Sequence, residues 1–463
     1  MFPCLDDIVA GVPEYDGYLR LSQLEASTDR IAAAHPEIEV WSPGVSRAGH
    51  PIRCLEIPGG PSQALLVGLP HPEEPVGTLA LEYLLPLLAD GLAAELGFNF
   101  SVVKAGDPDA TLINEPWFEE PYDLTGFLLR VYRPPLRDQF EWTFPVSYKR
   151  YAFTRPLPEA AAVMEVIGRR PLDFYMPLHN SNFSGAYFYL SAEDVELQRQ
   201  LAAVMAAAGL PPHCGEPEVP YLRTLAPGMF RAFALADDYD FYEAYGADPT
   251  AVLTSGTSSD AYAEEVWDCF TLVAEVPYFT SPRIADSRPA GMTRREAKLR
   301  GLEVQQHLAA WLHERYGRAD SHLTAETPWR LAVHAYLAEI DEDLRAERVQ
   351  AETEPEFGEE ATVAQLFDMV YLRELDMLER VGQFAAMLAA EARQDDVLRA
   401  LHAEAVAEVR TRAERLASAG GIEAPPIRAL VQCQVAALLC GLLAARDRYR
   451  PARPRPAGPR AQA

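Results

Sequence analysis

The stretch Leu65–Thr78, LLVGLPHPEEPVGT, runs an apolar segment into a Gly-Leu-Pro turn and sets His71 three residues ahead of Glu74. An apolar run closed by a turn reads as a buried strand, and the polar residues after it read as the strand's end and the first turn of a helix. An imidazole and a carboxylate at i and i+3 in such a place can point the same way. The pair belongs either to a metal site or to a polar surface loop, and the rest of the chain decides between the two.

A second histidine lies in a similar place. PLDFYMPLHNSN, Pro171–Asn182, puts His179 after an aromatic, apolar run and just before Asn180. A catalytic zinc wants three protein ligands, commonly two His and one Glu or Asp, and an open position for water. Other divalent ions accept the same donors. His307, His313, His322, His334 and His402 fall in helical segments and read as surface residues. DCFTLVAEVPYFTS, Asp268–Ser281, places Glu275 inside an otherwise apolar strand, where a carboxylate is costly unless paired or functional. Near a cation it could take a proton from water and pass it to a leaving amine. The plain alternative is an edge-strand glutamate facing solvent.

Up to about residue 315, short β-branched or aromatic runs such as IEVWSPGVS, QALLVGLP, NFSVVKAG and GAYFYLS alternate with helical patterns. That alternation predicts an α/β layer architecture, in which sites gather outside the carboxyl ends of the strands. From about Met292 the chain turns to Ala, Leu, Glu and Arg with helical periodicity, which predicts an all-α unit over about residues 318–447. The same periodicity suits a coiled-coil pairing of two copies. The final residues 448–463, RYRPARPRPAGPRAQA, are Pro- and Arg-rich and are expected to be disordered.

The chain has 463 residues, more than one ordinary domain, and 49% of them are apolar, enough for a large core. Its formal net charge of -27, from 68 acidic and 41 basic residues, repels nucleic acid and anionic membranes and argues against either as a partner. The opening MFPCLDDIVAGVPEYDG carries acid where a secretion signal carries base, which predicts a cytoplasmic protein. The six cysteines form no CxxC pair and read as small buried hydrophobes. The longest apolar run, ALVQCQVAALLCGLLAA at Ala429–Ala445, is shorter than the roughly 20 residues of a bilayer span and holds two glutamines. It reads as a buried or subunit-interface helix.

The order HxxE, then a strand-end His, then a Glu in a late apolar strand resembles the zinc carboxypeptidases, and the likeness extends over about residues 15–315. The Gly-x-Ser-x-x-Gly element at Gly44–Gly49, VVKAGDPDA at Val102–Ala110 and SGTSSDAYA at Ser255–Ala263 are similar to elements of that family. The resemblance implies a mixed sheet flanked by helices within residues 1–317. It further implies zinc on His71, Glu74 and His179, with Glu275 as general base and then acid. In LLRVYRPPLRDQFEWTFP, Leu128–Pro145, it implies an arginine for the oxyanion: Arg133 first, with Arg130 and Arg137 as rivals. Asn180 would orient substrate beside His179.

Three departures bear on specificity. Where the family carries an Asn-Arg pair that grips the substrate carboxylate, this chain has Glu141-Trp142. A tyrosine expected before the Ser-Gly element is replaced by AVLT, Ala251–Thr254, and the pocket floor falls at Ser259. Arg133 or Arg137 would then take over the carboxylate, or the substrate carries a basic group or no free C-terminus. The expected activity is zinc-dependent hydrolysis of a peptide-like amide. The runner-up is deacylation of N-acyl amino acids or amines, as in the desuccinylase branch. An inactive scaffold, binding a partner through the helices, is the third reading.

Overall fold

Most of the β-branched and aromatic runs of the first 280 residues settle into one large sheet. A computed structural model describes residues 5–118, 123–246, 248–393 and 395–448; Cys4 and the tail expected to be disordered, beyond Arg448, lie outside the described residues. Among those described, ten strands form the sheet: β1 (Glu39–Val45), β2 (Pro51–Ile57), β3 (Ser62–Val67), β4 (Phe98–Val103), β5 (Phe174–Pro177), β6 (Asn180–Phe183), β7 (Tyr187–Leu190), β8 (Thr224–Ala226), β9 (Met229–Arg231) and β10 (Phe270–Phe279). Their order is β1-β2-β4-β3-β5-β10-β7-β9-β8, with β6 paired to β10 off that path. Neighbours β4, β3, β5 and β10 run parallel, while β1, β2, β7 and β8 enter antiparallel, so the sheet is mixed. Every residue of β5 and β10 is buried, which is why these strands read as near-continuous apolar runs, broken in β10 chiefly by Glu275, rather than as alternating ones. Strands β6, β8 and β9 were not legible because they are three or four residues long and, in β6, polar.

Two backbone features set the carboxyl ends of β3 and β5 against each other. After β3 the chain turns through Gly68 and Leu69; Leu69 holds φ at 49°, a left-handed conformation unusual for a bulky residue, while fully buried. Such conformations cluster at functional sites. Helix α1 (Val76–Leu87) then begins, and a Cβ on Gly77 would stand 2.5 Å from the Leu178 Cβ. The glycine lets the first turn of α1 lie directly on the end of β5, one residue from His179.

Helices continue beyond the sheet: α2 (Val195–Ala207), then α3 (Arg294–Asp320), α4 (Pro328–Thr353), α5 (Arg373–Ala389), α6 (Asp396–Gly420) and α7 (Ile427–Arg448). Among the described residues, the helices after Met292 share their main core with the sheet, beside a small cluster of Ala297, Ala361, Met369 and Val370. One buried apolar cluster runs from Ile8 through Leu66, Phe100 and Leu272 to Leu378, Leu401 and Leu438. Helix α7, which holds the run Ala429–Ala445, packs on α1, α2, β5 and β10. At Gly441 a Cβ would lie 2.8 Å from the Leu272 side chain and 2.9 Å from that of Phe174, so a larger residue must push both aside. Its glutamines are explained by their partners: Gln432 donates to the Val9 carbonyl at 3.1 Å, and Gln434 to the His179 carbonyl at 2.6 Å.

Because α7 belongs to the core under the sheet, deleting residues 427–448 is expected to abolish cooperative thermal unfolding. Gly441→Leu should lower stability by about 1–3 kcal/mol through overpacking. A truncated chain that melts cooperatively near the full-length midpoint, followed by circular dichroism, would show that the helix contributes little.

Candidate metal centre

His71 leaves the turn after β3, Glu74 opens α1, and His179 follows β5, so three side chains far apart in sequence converge at the carboxyl edge of parallel strands. One ligand atom from each lies within 4.8 Å of the other two, and all three residues are buried. His179 Nδ1 stands 2.9 Å from Glu74 Oε2, which also accepts the Asn180 backbone N–H at 3.1 Å. The imidazoles of His71 and His179 are 5.1 Å apart between centroids, and Trp142 stacks on His71 at 6.5 Å. Glu275 Oε1 comes within 3.9 Å of His179 Nδ1.

The donors fit a divalent cation. Burial, with Arg133 and His179 adding to it, holds His71 well below its ordinary pKa, so it is a neutral lone-pair donor. Its Nδ1 is buried with no hydrogen-bond partner, as is Glu275 Oε2. Burial raises Glu74 to about 8 and lifts Glu275 well above the ordinary carboxyl range, against the pull of Arg133 and His179 respectively. A positive charge among these groups reverses that pressure and satisfies the orphaned atoms. Two imidazoles and one carboxylate form a donor set that zinc commonly takes and that other divalent ions accept.

No family model and no curated protein matches the chain. Solved structures similar to it include metallocarboxypeptidases and putative metallopeptidases. The enzyme from Burkholderia cenocepacia is 15% identical over 56% of this chain and 60% of its own, at a TM-score of 0.35. Carboxypeptidase A from Helicoverpa armigera is 13% identical over 59% and 69%, at 0.37. A metallo-carboxypeptidase from Pseudomonas aeruginosa is 14% identical over 56% and 60%, at 0.32. The chain thus spans 60% of the length of the first and third.

The arginines separate cleanly. Arg133 lines the cavity beside the ligands, its Nη1 donating to Glu73 Oε1 at 2.8 Å and lying 3.7 Å from Glu74 Oε1. Burial opposes its charge, but Glu73 and Glu74 outweigh burial and raise its pKa. Arg130 is exposed. Arg137 is exposed too, 3.9 Å from Asp138, and does not line the cavity: Pro134-Pro135 carry the chain out to a surface turn, so the expectation that Arg137 touches substrate does not hold. Glu141 lines the cavity while 1% exposed. Ser259 is fully buried behind it, donating to Glu141 Oε1 at 2.6 Å and accepting from the Tyr175 hydroxyl at 2.7 Å. The wall there is formed by Ser258 and Asp260, which corrects the reading of Ser259 as pocket floor. Asn180 lines the cavity, yet its Oδ1 accepts from Val76 N at 3.2 Å, fastening the start of α1.

Other residues at the site had little signal in the sequence. Glu73 reads as a spacer in HPEE but holds Arg133, while its own carbonyl accepts from the Tyr278 hydroxyl at 2.9 Å. The cavity, of about 400 Å³, is closed on one side by the C-terminal helices: Arg373, Asp376, Glu379 and Arg380 of α5 line it. Asn182 of β6 donates to Glu379 at 2.7 Å and ties this cover to the sheet. From the opposite side, Gln434 of α7 fastens the His179 carbonyl.

When zinc is supplied, His71→Ala is expected to lose it, and Gln434→Leu to hold it less tightly, because Gln434 fastens the His179 backbone carbonyl. Elemental analysis and competition with a fluorescent chelator read both. Full zinc occupancy in His71→Ala would place the ion elsewhere.

Proposed function

We propose that the chain is a zinc-dependent amide hydrolase, with His71, Glu74 and His179 holding the ion. The observation that carries this is the buried convergence of those three donors with Glu275 within 3.9 Å of His179. An ion bound there supplies a Lewis acid for the carbonyl and an acidified water. The residues supply the rest. Glu275 removes a proton from the attacking water at its buried carboxylate and delivers it to the departing nitrogen; the C–N bond breaks, and acid and amine are released. Arg133, kept charged and aimed by Glu73, faces the oxygen on which negative charge develops. Trp142 and the α5 cover exclude bulk water, which strengthens each of these electrostatic contacts.

The same machinery serves a peptide C-terminus or the acyl group of a small amine. The α5 cover and the replacement of an expected basic clamp by Glu141 favour the second, a compact substrate without a free carboxylate beside the scissile bond. The C-terminal helices serve in this account as part of the active-site wall, and not as a scaffold alone.

Glu275→Gln should retain zinc and lose about 10²–10⁴-fold in kcat, the range for loss of a general base. Colorimetric amine release from acyl-amine and peptide panels measures it. Undiminished turnover in a zinc-loaded Glu275→Gln protein would remove Glu275 from the mechanism.

A further inference from the structure

Nine carboxylates and three arginines line the cavity. Most of the carboxylates already have donors. Glu216 takes the Arg294 guanidinium at 2.8 and 3.0 Å, Glu218 takes the Tyr187 and Tyr189 hydroxyls, and Asp368 takes the Glu216 N–H. Glu379 takes Asn182 and lies 3.3 Å from Arg380. The arginines are committed in turn, Arg133 to Glu73 and Arg373 to the Glu218 carbonyl at 3.1 Å.

Glu275, already given a part in the reaction, and Glu141 each keep a buried oxygen without a donor; Glu141 is the one the reaction does not use. Ser259 fixes its Oε1 through both N–H and hydroxyl, at 3.2 and 2.6 Å, while Oε2 is buried without a partner. The nearest basic group is the His179 imidazole, its Nε2 3.9 Å from Glu141 Oε1 and beyond hydrogen-bond reach. Asp260, 7% exposed, lies on the same wall and adds a second carboxyl group. Trp142 and Phe233, ring centroids 5.8 Å apart, offer aromatic faces to the same space. A buried carboxylate held rigid on one oxygen and left without a donor on the other, beside a second acid and two aromatic rings, is built for a cation.

We propose that the substrate carries an ammonium or guanidinium group a few bonds from the scissile amide, bound by Glu141 Oε2 against Trp142. The inference rests on the hydrolase reading only for where the scissile bond lies. The spacing is short because Glu141 Oε1 is 3.9 Å from a ligand imidazole. A substrate carboxylate in that position meets Glu141 and Asp260 and is repelled, so the pair selects against acids as well as for amines.

Three probes with one acyl group test it: N-benzoylethylenediamine (cationic), N-benzoylpropylamine (neutral) and N-benzoylglycine (anionic). Calorimetric binding to the zinc-loaded protein should favour the cationic probe over the neutral one by about tenfold or more, as a charged hydrogen bond is worth, with the anion weakest. Glu141→Gln, and independently Asp260→Asn, should compress that ranking; circular dichroism confirms that each variant is folded. Equal or tighter binding of the anion, no binding of any probe, or a ranking unchanged in both folded variants overturns the proposal. So does a Glu141→Gln protein that loses zinc affinity while keeping the ranking, since Glu141 then only supports His179. Benzoate release is read separately. Cation-selective binding without hydrolysis sinks the hydrolase reading and leaves the charge preference standing.

Discussion

The constraint on which the structure turns is the burial of Glu74 between two imidazoles. A carboxylate that is 2% exposed is expensive unless something positive or several donors meet it. Here His179 and the Asn180 N–H reach one oxygen, and Arg133 stands beside the other. To bring these groups together the chain accepts a left-handed Leu69 and places Gly77 where any side chain would strike Leu178. Local backbone cost is thereby coupled to the site rather than to the stability of the sheet.

Around that point, charge is layered. Glu73 orients Arg133, Ser259 orients Glu141, and Gln434 holds the carbonyl of His179 from the last helix. Burial presses Glu73, Glu74 and Glu141 each to about 8, against opposing pulls from Arg133 and His179. So many carboxylates around one cavity make it a receptor for positive charge, first for a metal ion and then for a cationic substrate group.

How much the sequence reveals depends on how local each signal is. His71, Glu74 and His179 stand out because strand ends are marked by apolar runs and turn residues, and Glu275 because a lone charge in such a run is conspicuous. The expected α/β layer with a mixed sheet is present for the same reason. Arg137 and Ser259 mislead, since neither the outward course set by two prolines nor the shielding of Ser259 by Glu141 is written in neighbouring residues. Asp376 and Glu379 give no sign at all: on an amphipathic helix nearly two hundred residues from His179, they look like a solvated face. The two glutamines of the Ala429–Ala445 run are visible, but their meaning comes only with the carbonyls they reach.

The most direct test of this account is anomalous diffraction at the zinc edge from crystals of the zinc-loaded protein. It predicts one peak bounded by His71, Glu74 and His179, with Glu275 facing it across the cavity. A peak at any other residues, or none at these three, would contradict it.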